Sequence, residues 1–272
     1  MKCMLLGINK LFFILIITFI AGLSSCEDVI DIKLNNTEPR IVIEAKLYDQ
    51  LLPATVLITK TSDFFDTLTY NTVSGAEVTI SDSNGNIFNI TETDSAGLYQ
   101  TNLFGETGKT YTLTVKAEGE TYTATAEMKP PLKIDSLGAK YRTNPLPYQD
   151  DGYDIICYLN DSANLNEYAK LDIYKNQRRS FEIYLFEDTY TDGTNFEYKF
   201  YNETFQINDT AAVLILGCDR SVYEYLYTYA EIVSENFHDS GTPYNPVSNI
   251  SNNALGYFGV FSVSGDFLIV GQ

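Results

Sequence analysis

The chain has 272 residues, and its 36 acidic and 18 basic side chains give a formal net charge of −18. A chain this acidic lacks the basic face with which proteins bind phosphates, so nucleic acid is excluded as a partner. The single histidine, His238, excludes a histidine-based catalytic triad and any metal site with several histidines. Because no phosphate loop, zinc-protease motif or lipase motif is present, we predict no cofactor, no metal and no enzymatic activity.

Residues 1–25 have the layout of a secretory signal peptide. Lys2 and Lys10 precede an apolar run from Leu11 to Ile20, which is shorter than the ~20 residues of a membrane-spanning helix. The following "LSSC" resembles the bacterial lipobox, where cleavage before the cysteine leaves a thiol that carries a diacylglycerol. We therefore predict that Cys26 is lipidated and that its acyl chains anchor the protein in a membrane. The alternative is an ordinary signal peptide with an incidental cysteine.

Residues 26–38 are predicted to form a flexible acidic tether. Glu27, Asp28 and Asp31 follow the cysteine directly, and loss of the two leader lysines lowers the formal net charge by two, to −20. The acidic start resembles the export signal that carries Bacteroidetes lipoproteins to the cell surface. We therefore expect an outer-membrane, lipid-anchored protein exposed at the cell surface.

Residues 39–129 alternate apolar and polar side chains in short runs. This pattern, with abundant Thr, Val, Ile and Tyr, is typical of strands that bury one face. Asn84-Gly85 and Glu118-Gly119 interrupt two of the runs and predict hairpin turns, the first of type I′. The spacing predicts an antiparallel sandwich of immunoglobulin-like or carboxypeptidase-regulatory-like type.

Pro130-Pro131 breaks the strand pattern and predicts a boundary to a second β-rich domain, residues 130–272. Its candidate strands include "RSFEIYLFED" at 179–188 and the C-terminal "GYFGVFSVSGDFLIV". Between them, residues 221–235 change to a helical period, with Ser221 as the predicted N-cap. The helix is predicted to bury an apolar stripe that consists of Val222, Leu226, Ala230 and Val233.

Tyrosines dominate this predicted helix. Tyr223, Tyr225 and Tyr227 cannot share one buried stripe, because a helix turns 100° per residue. We predict that these three residues form a partner surface, part of which contacts a partner or the adjoining domain. The alternative is that strands cover both sides of the helix and that every ring is core.

Several residues carry more limited expectations. Cys157 and Cys218 form either a disulfide, which an exported protein allows, or two buried free thiols. Asp150, Asp151 and Asp154 form a closely spaced acidic group, which we interpret as a solvated loop rather than as paired catalytic carboxylates. His238 and Asp239 are interpreted as loop residues rather than metal ligands.

Several segments, taken in order, are similar to one known family. They are "EPRIVIEA", "NTVSGAEVTISDSNGN", "GLYQTN" and, most specifically, "NALGYFGVFSVS". In this order the chain resembles the Bacteroidetes lipoprotein family known as domain of unknown function 4249. The resemblance implies an accessory role beside a TonB-dependent outer-membrane transporter, and it implies no catalytic residue.

These observations favour a non-enzymatic outer-membrane lipoprotein that acts as an accessory or ligand-binding partner of a TonB-dependent transporter. Two alternatives stay open. One is a surface hydrolase that uses loop carboxylates, with Asp151 and Asp154 as candidates. The other is a structural or adhesive surface protein.

Overall fold

Strands make up most of the fold, and one helix lies near the C-terminus. The computed structural model describes residues 38–62, 71–142, 150–160, 167–188, 193–235 and 244–271. Within them the chain forms, in order, β1 (Ile41–Tyr48), β2 (Ala54–Lys60), β3 (Asn71–Thr72), β4 (Glu77–Asp82), β5 (Ile87–Glu92), β6 (Leu98–Thr101), β7 (Thr110–Ala117), β8 (Glu120–Glu127), β9 (Lys133–Tyr141), β10 (Tyr153–Asn160), β11 (Tyr168–Lys175), β12 (Arg178–Arg179), β13 (Tyr184–Glu187), β14 (Asn195–Phe205), β15 (Thr210–Cys218), α1 (Arg220–Glu235) and β16 (Leu255–Ile269). The predicted mainly β fold is therefore confirmed.

The main sheet contains thirteen of the described strands. Its order is β12-β11-β15-β16-β1-β2-β6-β5-β4-β7-β8, with β13 paired to β11 and β3 paired to β2. β16 and β1 run parallel, whereas the neighbouring strands pair antiparallel. A separate three-stranded sheet has the order β14-β10-β9.

The N-terminal strands enclose the first hydrophobic core as a sandwich-like pair of layers. Side chains that alternate along β1, such as Ile43 and Leu47, pack with Leu113 and Val115 of β7. The last strand adds Phe258 to the same core. Alternation along each strand places one set of side chains inward, which is why the sequence pattern predicted these strands correctly.

A second core lies between the three-stranded sheet and one face of the main sheet. Ile155 and Phe200 come from β10 and β14, while Leu171 and Val213 come from β11 and β15. The opposite face of β11 and β15 lies toward α1, and a third core fills that space. The strands at this end of the main sheet are therefore covered on both faces.

The predicted boundary at Pro130-Pro131 lies between β8 and β9, between Met128 of the first core and Leu132 of the second core. The boundary does not interrupt the main sheet, because β1 pairs with β16 from Val42–Leu255 to Tyr48–Phe261. From Pro39 onward the chain forms one compact unit. Independent folding of the two parts stays a prediction.

The two predicted hairpin turns differ from each other. Glu118 and Gly119 both have positive φ, at 53° and 85°, as a type I′ turn requires. The type I′ prediction for Asn84-Gly85 is wrong, because of these two residues only Gly85 has positive φ. The Asp82 carboxylate accepts the backbone N–H groups of Asn84 and Asn86, and this local bonding fixes a different turn.

Gly256 marks the closest approach between β16 and β1. It has a φ of +91°, and a Cβ placed on it would lie 2.1 Å from the carbonyl oxygen of Ile43. By contrast, Gly119 has a φ of +85° with no atom within 4 Å of its Cβ position. Both positions therefore require a backbone conformation that favours glycine, but only at Gly256 would a side chain also clash with a neighbouring strand.

We expect Gly256→Ala to destabilise the fold far more than Gly119→Ala. The Gly119 change costs the conformational penalty alone, about 1–2 kcal/mol, whereas the Gly256 change also separates β16 from β1. Urea unfolding of both variants measures the difference. Equal losses of stability would contradict the parallel β1–β16 contact.

Candidate binding surface

Helix α1 begins because Asp219 caps it. The Asp219 carboxylate accepts the backbone N–H of Val222 at 3.1 Å and the hydroxyl of Ser221 at 2.8 Å. The prediction of Ser221 as the N-cap is therefore wrong by two residues. Arg220 and Glu224 form an i,i+4 ion pair at 2.8 Å on the exposed side of the first turns. The predicted helix itself agrees with the structure within one residue.

Two rows of tyrosines in ring-to-ring contact lie on either side of the buried residues Val222 and Leu226. The first row runs from Tyr257 on β16 to Tyr225 (centroids 4.5 Å apart) and then to Tyr229 (6.4 Å). The second row runs from Tyr168 on β11 to Tyr223 (5.0 Å) and then to Tyr227 (6.1 Å). Each row begins on the sheet and ends at a helix tyrosine that is exposed to solvent, because the i,i+4 spacing extends it along one side of α1.

The three tyrosines predicted as a partner surface differ in how much of each side chain is exposed. Tyr225 is buried and packs on Tyr257, so its assignment to a partner surface is wrong. Burial raises the pKa of Tyr225 to about 12, so its hydroxyl stays neutral. Tyr223 is half-buried against Tyr168, and Tyr227 is 47% exposed. The predicted apolar stripe also ends early, since Val233 is 45% exposed.

Residues 180–183 form an arch between β12 and β13. The segment was predicted as part of a strand, but only Tyr184–Glu187 pairs with β11 there. The backbone N–H of Ser180 bonds the carbonyl of Ile173, and Phe181 projects with 85% of its surface exposed. Arg178 lies over the Phe181 ring at 5.5 Å. The arch was predicted as a strand because its residues alternate between apolar and polar.

Among the clefts beside the arch, two share Phe181, Glu182 and Ile183. The sheet cleft, about 410 Å³, lies between α1 and the main sheet and is lined by Glu44, Lys46, Lys170, Arg179, Tyr229 and Tyr257 among others. The helix cleft, about 680 Å³, lies on the other side of α1 and is lined by Leu185, Tyr223, Tyr227, Ala230, Glu231 and Val233. The tyrosines of α1 were predictable from the sequence, whereas the strand residues opposite them were not.

The sheet cleft contains a group of cations around one carboxylate. Lys170 bonds Asp172, and a guanidinium nitrogen of Arg179 lies 3.5 Å from the same carboxylate. Burial lowers the pKa of Lys170, Asp172 opposes that effect, and the charges of Arg179 and Lys46 add to the lowering. The cations are therefore close enough to act on one another electrostatically.

The two cysteines do not form a disulfide in the structure. Cys157 lies in the core under the three-stranded sheet, and Cys218 lies in the core under α1. Burial raises the pKa of Cys157 to about 12, so the thiol stays protonated and unreactive. These positions agree with the alternative of two buried free thiols.

Asp154 belongs to a buried ion pair rather than to an open acidic loop. Arg142, which is 8% exposed, donates to its carboxylate and also to the carbonyl of Asp150 at 3.0 Å and the hydroxyl of Thr204 at 3.2 Å. One guanidinium thus joins β10, the loop before it and β14. The contacts give Asp154 a structural role.

We expect Asp154→Ala to destabilise the protein by roughly 3–5 kcal/mol, because the buried Arg142 charge would lose its partner. Asp151→Ala, three residues away on the exposed loop, serves as the control and should change stability by less than about 0.5 kcal/mol. Chemical denaturation measures both. A small effect of Asp154→Ala would contradict the structural role and favour the interpretation of Asp154 as a solvated loop residue.

Some predicted sites lie outside the described residues. These are Cys26 with its leader and tether, and His238 with Asp239. Within the described ranges, no group of three or more His, Cys, Asp or Glu side chains is placed to hold a metal ion. None of the helical structure there has the length and apolar character needed to span a bilayer.

The fold and its surface define a mainly β protein in which a tyrosine-rich helix is docked on the sheet and flanked by two clefts. The chain belongs to the family described as Domain of unknown function (DUF4249), whose model matches residues 27–265.

Other comparisons add little to this assignment. No curated protein matches the chain. Among solved structures, the crystal structure of the FN1-FN3 domains of chicken CNTN1 is similar over 66% of this chain, at 12% identity and a TM-score of 0.24. The match spans 60% of the length of that structure. A similarity this low carries no argument about function.

Proposed function

We propose that the protein is a non-enzymatic, lipid-anchored surface protein of the outer membrane that acts as an accessory or ligand-binding partner of a TonB-dependent transporter. Cys26 would carry the lipid, and the acidic tether would separate the folded part from the membrane. The lipobox-like sequence and the membership in the DUF4249 family support the proposal. No catalytic arrangement emerged from the described residues that would favour a reaction.

The observation that carries the partner role is the exposed apolar surface around the helix cleft. Phe181 is 85% exposed, and Tyr227 and Val233 line the same cleft with 47% and 45% exposure. Large side chains exposed together around a concave surface are typical of protein interaction sites, where aromatic residues supply most of the binding energy. We infer that the transporter contacts this surface, which includes Tyr223 and Tyr227 of the predicted group but not Tyr225.

The alternative of a surface hydrolase receives no support from its candidate residues. Asp154 is bonded to Arg142, and Asp151 contributes its backbone carbonyl to the Gln206 amide at 2.7 Å. The adhesive alternative would use the same exposed surface and differs only in the partner. Identification of that partner therefore decides between the two.

We expect Phe181→Ser to weaken capture of the transporter by roughly 30-fold, since loss of a central interface aromatic costs about 2 kcal/mol. The tagged full chain would be expressed in the source organism, purified in detergent and its co-purifying membrane proteins quantified by mass spectrometry. The control is Phe267→Ser, because Phe267 is 67% exposed but lines neither cleft.

A Cys26→Ala variant tests the anchor in the same preparation. Without acylation the variant should keep its leader or be soluble, and it should be absent from the outer-membrane fraction. The transporter role would be refuted if no TonB-dependent transporter accompanied the wild-type chain. Capture that survives Phe181→Ser unchanged would leave the partnership intact but exclude the helix cleft as its site.

A further inference from the structure

The sheet cleft has the features of a small-ligand site, and it shares only Phe181, Glu182 and Ile183 with the helix cleft of the proposed transporter contact. Its volume of about 410 Å³ is within the range of sites that hold small molecules. Its walls combine tyrosine rings with side chains of both charges, Lys46, Lys170 and Arg179 against Glu44 and Glu182. Such a mixture suits a ligand that is itself charged at two places.

The charges of the sheet cleft are only partly satisfied within the protein. Asp172 forms an ion pair with Lys170 and a longer one, at 3.5 Å, with Arg179. Among the described residues, no ion pair involves Lys46, Glu44 or Glu182. The cleft therefore offers a spare cation and spare anions at the same time.

The spare charges occupy different parts of the cleft. Glu44 is paired in register with Tyr257. The pKa of Tyr257 is raised mainly by burial, then by the neighbouring Tyr48 and by the charge of Glu44. Lys46, next along the same face of β1, pairs with Gly259 and acts electrostatically on Lys170. The anion thus lies beside the tyrosine row and the cation toward the lysine and arginine group.

The spacing of Glu44 and Lys46 matches a short peptide. Two residues apart on one strand face correspond to about 7 Å, at ~3.3 Å per residue. An extended dipeptide covers the same length, about 7 Å, between its terminal groups. Its ammonium group and its carboxylate can therefore face opposite charges at once.

Gly259 allows aromatic rings to lie directly against β16 beside the cleft. A Cβ at this position would lie 2.4 Å from the Phe261 ring and 3.0 Å from the Tyr257 ring. Because Gly259 has no side chain, these two rings occupy the space above it, and Tyr257 keeps its place in the wall of the cleft. Tyr229 and Phe181 stand at the cleft with 43% and 85% of their surfaces exposed, available to an apolar side chain.

We propose that the sheet cleft binds a short zwitterionic peptide, with Glu44 holding the terminal ammonium and Lys46 with Arg179 holding the terminal carboxylate. An aromatic or large apolar side chain of the peptide packs on Tyr229 and Phe181. This proposal names a ligand class for the proposed binding role, yet its measurement needs no transporter.

Isothermal titration calorimetry of the full chain in detergent with glycyl-L-phenylalanine tests the proposal. We expect binding that weakens by about tenfold or more when the peptide is amidated at its C-terminus or acetylated at its N-terminus, because each change removes one charge pair. Maltose, a neutral saccharide, should not bind. Equal affinity for the free and capped peptides, no binding of the peptide, or binding of maltose in its place would overturn the proposal.

Variants of the chain locate the binding. Lys46→Gln should weaken binding of the free dipeptide by about tenfold and leave binding of the amidated form unchanged. Glu44→Gln should likewise weaken binding of the free dipeptide by about tenfold and leave binding of the acetylated form unchanged. The control is Lys140→Gln on the exposed face of β9, which should change nothing. Binding that ignores the Lys46 and Glu44 changes would place the peptide elsewhere. Failure of these titrations would leave the transporter proposal standing, since that proposal is tested by co-purification.

Discussion

Strand β16 pairs with β1 through its first half and with β15 through its second half, so the end of the chain joins the first sandwich to the later strands. Where β1 ends and β16 changes its pairing partner, the Asp49 carboxylate accepts the N–H of Val263. The Gln50 side-chain amide donates to the carbonyl of Val263 at the same point. The free edge of the first half is covered by Asn249, whose amide bonds both the N–H and the carbonyl of Phe258. These bonds satisfy backbone groups of Phe258 and Val263 at the junction where the first and last strands join in one sheet.

The same strand places the candidate surface. Along β16, side chains alternate between the first core and the face under α1, so Phe258 points to the sandwich while Tyr257 supports the helix tyrosines. Asn249 also reaches Ser221, which ties the helix start to this strand. A ligand or partner at the clefts is thus connected through packed side chains to the junction of the first and last strands, and loosening of that junction would disturb both clefts.

Local patterns of the sequence predicted much of this fold. Alternation located the strands of the sandwich, and the helical period located α1 within one residue. Pairing was not predictable, since alternation shows which face a strand buries but not which strand lies beside it, and β1 and β16 are separated by more than two hundred residues. Tyr225 was misplaced for the same reason: the helical angles were correct, but the opposing Tyr257 was unknown. Phe181 was missed because an arch with alternating residues has the pattern of a strand.

Native-state hydrogen exchange tests the role of β16 most directly. If β16 unites the fold, the slowest amides of β1, β7, β15 and β16 should exchange with one common free energy, because opening any of them requires global unfolding. A lower and separate free energy for the strands after residue 130, with protection retained in β1 and β7, would contradict this account. It would mean that two domains unfold on their own and that the parallel β1–β16 pairing is a weak contact between them.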